Sequence, residues 1–121
     1  MKKSHKDNII LGIESSCDDT SAAVLINGKI CSNIIANQEV HKQYGGVVPE
    51  LAARSHVEKI DLIAKKAINE SGVNLNDVSA IASTSGPGLI VCLTIGLNFG
   101  KALSASLNAV SYTHLTLPTK A

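Results

Sequence analysis

The dipeptide Asn27-Gly28 is the feature that most constrains how this chain can fold. It separates two apolar runs, residues 22–26 and 30–35. An Asn-Gly pair between such runs is the strongest short-range signal for a β-hairpin. A further apolar run lies just upstream, at residues 8–13. The sequence therefore predicts that three antiparallel strands open the fold.

A long amphipathic helix is predicted to begin at Pro49. Proline suits the first turn of a helix, and Glu50 places a negative charge at the positive end of the helix dipole. Apolar residues then recur at helical spacing as far as Gly72. Because glycine favours the end of a helix, we expect the helix to stop there.

The last predicted elements are a strand at residues 79–83 and a helix at residues 89–107. Gly86, Pro87 and Gly88 form a turn between them. Apolar and small residues throughout the second helix predict that it is well buried. A strand, a glycine turn and a helix in succession often face a ligand, because backbone amides at the helix start can approach it. A turn without a ligand explains the glycines as well.

Composition limits the class of protein. The chain has 121 residues, 45% of them hydrophobic and 17% charged, which is typical of one small soluble domain. Its first eight residues are mostly polar, so we expect neither a secretory signal nor a membrane span, and a cytoplasmic location. Cys17, Cys31 and Cys92 are few and widely spaced, which favours reduced thiols. The net charge of +1 gives no sign of a nucleic-acid partner, so any RNA binding is expected to come from a local patch or from sequence that this chain lacks.

The turn between the first two predicted strands carries three carboxylates, those of Glu14, Asp18 and Asp19. Hydroxyls in the same turn can hold phosphate oxygens, and they belong to Ser15, Ser16 and Thr20. The carboxylates would repel a bare phosphate, so the turn suits a nucleotide whose charge a divalent metal offsets, directly or through water. An ordinary acidic hairpin turn is the alternative.

Three segments resemble the tRNA adenosine threonylcarbamoyltransferase family, whose older name is O-sialoglycoprotein endopeptidase. Residues 12–20 are similar to its motif Gly-Ile-Glu-Thr-Ser-Cys-Asp-Asp-Thr, from which only Ser15 departs while keeping a hydroxyl. Residues 41–56 and the Gly-Pro-Gly-Leu at residues 86–89 match two further motifs. The resemblance covers residues 8 to about 108, the first third of the proteins in this family.

The predicted order βββαβα is that of the first subdomain in the actin-like ATPase (ASKHA) superfamily. We therefore expect an α/β fold with a mixed sheet flanked by helices. The family resemblance implies an acyltransferase that moves the threonylcarbamoyl group from threonylcarbamoyl-AMP to the exocyclic amine of the adenosine next to the anticodon, in tRNAs reading codons that start with A. A non-catalytic paralogous scaffold subunit and a small-molecule kinase of the same superfamily remain as alternatives.

The resemblance also implies a metal and partners. One divalent metal, iron or zinc, would be held by histidines and an aspartate beyond residue 108, so we expect no metal ligand before that point. The implied substrates are tRNA and threonylcarbamoyl-AMP. The implied partner proteins are an acyl-adenylate synthase, a paralogue that dimerises with the enzyme and a small ATPase. Without the rest of the cleft, this chain is expected to be inactive alone.

Catalytic candidates come from the acidic turn. Glu14 is the first, because it takes the place of the strand-end acidic residue that handles the metal-nucleotide in this superfamily. Asp18 and Asp19 are second candidates, and acceptance of hydrogen bonds from turn amides is the alternative for either. The predicted nucleotide- or phosphate-binding residues are Ser15, Ser16, Thr20, Gly86 and Gly88.

A further group of residues is a candidate for the substrate or tRNA face. It comprises His41, Tyr44, Gly45, Gly46 and Arg54. A purely structural turn is the alternative for the paired glycines. Arg54 and His56 are two residues apart on a predicted helix and so point to different sides. The simpler expectation is that both are solvated surface residues.

The end of the chain departs from the family pattern after Asn108. Residues 110–119 correspond codon by codon to GTC TCT TAT ACA CAT CTG ACG CTG CCG ACG, the DNA of a transposase adapter used in preparing sequencing libraries. We therefore hypothesise that residues 109–121 are a non-native tail and that residues 1–108 are a partial N-terminal subdomain. A divergent natural terminus is the alternative. On the adapter hypothesis, His114 does not correspond to a metal-binding histidine of the family.

Overall fold

The computed structural model describes residues 7–16, 19–37 and 48–112. Its elements in chain order are β1 (Ile9–Glu14), β2 (Thr20–Ile26), β3 (Lys29–Ala36), α1 (Pro49–Ser71), β4 (Ala80–Ser83), α2 (Ile90–Leu107) and β5 (Val110–Tyr112). A short 3₁₀ turn, Leu75–Asp77, precedes β4. The predicted order βββαβα is confirmed, and β5 adds a strand that the sequence did not predict.

The five strands form one mixed sheet in the order β3-β2-β1-β4-β5. The pairs β1–β2 and β2–β3 are antiparallel. β4 lies parallel to β1, and β5 lies parallel to β4. Because β1 and β4 run in the same direction, their carboxyl ends meet at one edge of the sheet.

The hairpin between β2 and β3 turns at Asn27 and Gly28, as predicted. Their φ angles are 52° and 83°, so both residues adopt the left-handed conformation that a type I′ turn requires. The Asn27 side chain also accepts a hydrogen bond from the backbone amide of Asn8, at 2.8 Å. The turn is therefore joined to the start of β1.

The boundaries of α1 follow its sequence signals. Pro49 occupies the first turn, and Gly72 ends the helix in the left-handed conformation with φ 82°. α2 ends in the same way at Asn108, with φ 58°. Both stops use residues that tolerate positive φ, so local chemistry accounts for where these helices end.

Both helices pack on the same face of the sheet. α1 contacts β2 and β3, α2 contacts β4 and β5, and the helices contact each other. On β1 the alternate residues Ile9, Leu11 and Ile13 are buried toward the helices. Glu14 falls on the opposite face and is half-buried. The helices therefore flank the sheet from one side in the described part of the chain.

The prediction that α2 is well buried is wrong. Small residues of α2 lie on the sheet, whereas Ile90 is 79% exposed and Val91 is 48% exposed. An apolar pattern cannot distinguish a helix covered all round from one whose second apolar side faces outward. Among the described helices, α2 has the length and composition to cross a membrane, but core helices of soluble proteins pass the same test.

β5 lies inside the segment for which an adapter origin was hypothesised. Val110 pairs with Ala80 of β4, and Tyr112 pairs with Ala82. Pairing of this kind uses the backbone and does not identify where a segment comes from. The origin of residues 109–121 stays a prediction, and residues 113–121 lie outside the described residues.

Candidate functional site

The candidate site lies where β1 and β4 end at the same edge of the sheet. Ile13 and Ser83 are the last paired residues of the two strands. The backbone amide of Thr84 then donates to the carbonyl oxygen of Ile13, at 3.1 Å. This parallel register brings Glu14 and Thr84 side by side although they are far apart in sequence.

The Glu14 carboxylate is held by hydrogen bonds to both of its oxygens. Oε1 accepts a hydrogen bond from the hydroxyl of Thr84, at 2.5 Å. Oε2 accepts hydrogen bonds from the Ser16 amide, at 2.8 Å, and from the Ser16 hydroxyl. A carboxylate has about four acceptor positions, so these three bonds orient the group and leave acceptor capacity on Oε1. The Glu14 carboxylate is thus held in one orientation and can still accept a further hydrogen bond on Oε1.

Thr84 is the site residue that the sequence analysis missed. Its hydroxyl contacts Glu14, which lies 70 positions earlier in the sequence. The available signal was its place directly after the predicted strand at residues 79–83, the position that corresponds to Glu14 at the end of the first strand. Only the pairing of β1 with β4 gives that signal a meaning.

The glycine turn before α2 approaches the acidic turn closely. The Leu89 amide donates to the Ser16 carbonyl oxygen, at 2.7 Å. A Cβ added to Gly88 would lie 2.6 Å from the Ser16 Cβ and 2.9 Å from its Cα. Gly88 is therefore required for the approach of two loops, which is a reason other than ligand contact. Its predicted phosphate contact, like that of Gly86, stays a prediction.

Ser15 connects the acidic turn to α2. Its hydroxyl donates to the Cys92 carbonyl oxygen, at 2.7 Å, and accepts from the Gly96 amide, at 3.0 Å. Cys92 and Gly96 are four residues apart, and in an α-helix the amide of the later residue donates to the carbonyl oxygen of the earlier one. The Ser15 hydroxyl therefore bonds to two groups that helical geometry places together. Ser15 is only 2% exposed. A phosphate contact by Ser15 would require these bonds to break.

Thr20 and His56 contact each other in the core. Thr20 Oγ1 lies 2.6 Å from His56 Nδ1, and both residues are fully buried. The expectation that His56 is solvated is therefore wrong. The signal was its phase, because Ala52, His56 and Ile60 recur every four residues on the buried side of α1. Arg54 is exposed, as expected for a surface residue.

The remaining candidates are Asp19 and residues outside the described part of the chain. Asp19 is exposed and directly precedes β2. With the Asn37 amide oriented so that its nitrogen faces Asp19, Asn37 donates to Asp19 Oδ1 at 2.9 Å. Predictions that fall outside the described residues concern Cys17, Asp18, His41, Tyr44, Gly45 and Gly46.

Comparison with known proteins decides the family. A family model described as tRNA N6-adenosine threonylcarbamoyltransferase matches residues 29–113. This segment includes α1, the glycine turn and α2, together with the first residues of the hypothesised tail. The chain belongs to the tRNA N6-adenosine threonylcarbamoyltransferase family.

Curated relatives in this family align with the chain at high identity. A tRNA N6-adenosine threonylcarbamoyltransferase from Pelagibacter ubique is 59% identical over 110 residues, covering 86% of this chain and 31% of the relative. The protein of the same name from Bacillus subtilis is 53% identical over 105 residues, covering 85% of this chain and 30% of the relative. The chain therefore spans about 30% of the length of the curated relatives that it matches.

Solved structures agree on the fold. YeaZ from Pseudomonas aeruginosa superposes with a TM-score of 0.66 at 19% identity, covering 88% of this chain and 43% of that chain. A protein described as similar to the peptidase YeaZ from the same organism gives a TM-score of 0.63 at 22% identity. At sequence identities this low, the structural similarity shows the fold only. Together with family membership, they confirm the α/β fold of the actin-like ATPase superfamily.

The described part of this chain contains no set of ligands for the metal that the threonylcarbamoyltransferase family implies. Within residues 7–16, 19–37 and 48–112, no three His, Cys, Asp or Glu side chains lie together in a way that could hold a metal ion. Glu14 contacts hydroxyls and an amide, which are hydrogen-bond donors.

A groove of about 360 Å³ lies between α1 and α2. Its polar lining includes Asp61 and Lys65, and its apolar lining includes Leu75, Phe99 and Leu103. No residue that lines it belongs to the loops at the ends of β1 and β4. The groove has room for a small ligand, but Glu14, the first catalytic candidate, does not line it.

Proposed function

We propose that this chain is the N-terminal part of a longer enzyme that modifies tRNA. The enzyme would transfer the threonylcarbamoyl group from threonylcarbamoyl-AMP to the exocyclic amine of the adenosine next to the anticodon, in tRNAs reading codons that start with A. The observation that carries the proposal is the 59% identity over 110 residues to a tRNA N6-adenosine threonylcarbamoyltransferase. The oriented Glu14 carboxylate gives the proposal a local chemical basis.

The proposed reaction is an acyl transfer. The adenosine amine attacks the carbamoyl carbon of threonylcarbamoyl-AMP and forms a carbon–nitrogen bond. The bond from that carbon to the phosphate oxygen breaks, AMP leaves, and the amine loses a proton to solvent. Holding both reactants in a reactive geometry accounts for much of the acceleration in such a step.

The residues of this chain would contribute orientation on the nucleotide side. The Glu14 carboxylate has acceptor capacity left on Oε1 and is fixed by Thr84 and Ser16. It is suited to accept a hydrogen bond from the substrate or from a water bound to the substrate. Asp18 and Asp19, in the same turn, are proposed to assist. The hydrogen bond from the Leu89 amide to the Ser16 carbonyl oxygen would keep the two loops that border the site together.

The remaining parts of the proposal rest on family resemblance. The longer protein would hold one iron or zinc ion through residues beyond 108. It would act in the cytoplasm with an acyl-adenylate synthase, a dimerising paralogue and a small ATPase. His41, Tyr44, Gly45, Gly46 and Arg54 would contribute to the substrate or tRNA face. The fragment alone would be inactive, because the second half of the nucleotide cleft is missing from it.

The first test is to obtain the gene through the codons that follow Asn108, from an independent amplification. We expect the reading frame to continue into a longer coding sequence in which residues 109–121 are replaced. A frame that ends naturally at Ala121 would overturn both the adapter hypothesis and the proposal of a longer enzyme.

The activity test uses the full-length protein with its proposed partner proteins. Unmodified tRNA and threonylcarbamoyl-AMP are supplied, and the modified nucleoside is measured by mass spectrometry. The matched control is the same tRNA with the target adenosine replaced by guanosine. Guanosine has no exocyclic amine at the reacting position. Transfer to the first tRNA only is expected, and equal signals from both would contradict the proposed site of modification.

Two outcomes would identify the alternatives. A scaffold subunit would support transfer only when a catalytic paralogue is present, and its Glu14→Gln variant would support transfer as well as the unaltered protein. A kinase would transfer phosphate from ATP to a small molecule and leave tRNA unmodified.

A further inference from the structure

We propose that Thr84 is a positioning residue that orients the Glu14 carboxylate toward threonylcarbamoyl-AMP. The inference rests on the proposed function, because it assigns Thr84 a part in that reaction. Thr84 would not touch the reacting atoms and would act through its hydrogen bond to Glu14 Oε1.

The first argument is that the sheet fixes both ends of this contact. Glu14 is the last residue of β1, and Thr84 directly follows β4. The pairing of Ile13 with Ser83 and the bond from the Thr84 amide to the Ile13 carbonyl oxygen, at 3.1 Å, set the distance between the two backbones. The hydroxyl is therefore placed beside the carboxylate by backbone pairing.

The second argument is that the Thr84 contact differs in kind from the other bonds of Glu14. Ser16, which lies two residues away in the same turn, binds Oε2. Thr84 binds Oε1 from a different strand. A carboxylate held at one oxygen by its own turn can still rotate, whereas a second anchor from a neighbouring strand fixes the plane of the group. Hydrogen bonds to a charged acceptor are also stronger than neutral ones.

The third argument is that the hydroxyl is not needed for packing. Thr84 directly follows the end of β4 and is half-buried. Its neighbour Ser83 is 2% exposed and faces α2. Valine has nearly the same shape as threonine and would fill the same space. The chemical difference between the two side chains at this position is thus the hydrogen bond to Glu14.

The test compares Thr84→Val with Thr84→Ser in the full-length protein, measuring kcat and KM for threonylcarbamoyl-AMP. Loss of a hydrogen bond to a charged group corresponds to roughly a 10- to 100-fold decrease in kcat/KM. We expect that decrease for Thr84→Val, while Thr84→Ser keeps the hydroxyl and stays within about threefold of the unaltered protein. Equal activity of Thr84→Val and the unaltered protein would overturn the proposal.

A double-mutant cycle with Glu14→Ala, which removes the acceptor of the Thr84 hydroxyl, separates positioning from a general structural effect. If Thr84 acts through Glu14, Thr84→Val causes little further loss in the Glu14→Ala background. Losses that multiply would show that Thr84 acts independently, which would overturn the proposal. Full activity of Glu14→Ala would also overturn it, because Thr84 would then have no functional group to position.

Amide hydrogen exchange gives a readout that does not need activity. The Ser16 amide is bonded to Glu14, and the Leu89 amide is bonded to Ser16. We expect faster exchange at both amides in Thr84→Val and unchanged exchange in Thr84→Ser. Unchanged exchange in both variants would overturn the positioning role. If the unaltered protein shows no transfer, the proposed function fails, and the exchange result alone decides whether Thr84 orders the Glu14 turn.

Discussion

The Thr20 hydroxyl and the Nδ1 atom of His56 lie 2.6 Å apart in the core. Both side chains are fully buried. Thr20 begins β2 directly after the acidic turn, and His56 lies in α1. The contact therefore joins one end of the candidate site to the helix that covers the sheet.

Thr20→Val is expected to destabilise the full-length protein. The substitution keeps the volume nearly constant and removes one hydrogen-bonding partner of a buried imidazole, which costs about 1–3 kcal/mol. The free energy of unfolding is measured by urea denaturation. Thr94→Val is the matched control, because Thr94 is exposed on α2, and its change should stay below about 0.5 kcal/mol. Equal changes in the two variants would show that the buried contact is energetically unimportant.

Gly88→Ala is expected to separate the glycine turn from the acidic turn. The added Cβ would meet the Ser16 Cβ at 2.6 Å, so the bond from the Leu89 amide to the Ser16 carbonyl oxygen would lengthen or break. Since small displacements at a reactive site can cost two orders of magnitude, transfer should fall at least about tenfold. Gly12→Ala is the control, because its added Cβ has no neighbour closer than 3.9 Å. Full activity of Gly88→Ala would mean that the loops need not touch.

Gly100→Ala is expected to destabilise the packing of α2 on β4 although alanine is the better helix former. The new Cβ would collide with the Ser83 hydroxyl and also lie 3.4 Å from Ile81 Cγ2. Overpacking of this kind costs about 1–3 kcal/mol, against a gain of about 1 kcal/mol in helix propensity. Adding Ser83→Ala removes the colliding atom and should recover most of the loss in thermal unfolding. A double variant no more stable than Gly100→Ala would contradict this contact.

The 121-residue chain is expected to self-associate when expressed alone. Ile90 is 79% exposed and Leu62 is 67% exposed, and apolar side chains of this kind favour association when they are contiguous. Ile90→Lys should increase the monomer fraction measured by sedimentation velocity. Asn98→Lys adds the same charge to α2 without removing apolar surface, and it should have a smaller effect. A soluble monomer with a cooperative thermal transition would contradict the expectation.

Much of the fold could be predicted because its signals are local. The hairpin depends on two residues that accept positive φ, Asn27 and Gly28. The limits of α1 depend on Pro49 and Gly72. Each of these signals acts within a few residues, so it can be recognised from the sequence without knowledge of the tertiary structure. β5 was missed because the sequence analysis assigns residues 109–121 to a non-native tail, whereas its three residues pair with β4 in the structure.

For the candidate site, the sequence predicts an acidic turn with Glu14 as its first functional residue. The structure describes the hydrogen bonds that hold Glu14, and its catalytic role stays a prediction. The roles expected for the other side chains followed from their chemistry, and chemistry alone does not say where a side chain points. Ser15 and Thr20 face the helices, where their hydroxyls bond to α2 and to His56. The hydroxyl of Thr84 was overlooked because its place after the predicted strand points to Glu14 only once β1 is known to pair with β4.

The amino-acid sequence by itself determined the strand and helix order, the hairpin and the family to which this chain belongs. These depend on local backbone preferences, on hydrophobic periodicity and on motifs within short segments. Only the tertiary structure decided that Glu14 meets Thr84 and that Ser15 contacts α2. The same holds for the contact between Thr20 and His56. The physical reason is that the parallel pairing of β1 with β4 and the packing of both helices on one face join residues distant in sequence. Such contacts arise from the sheet as a whole and from no single segment.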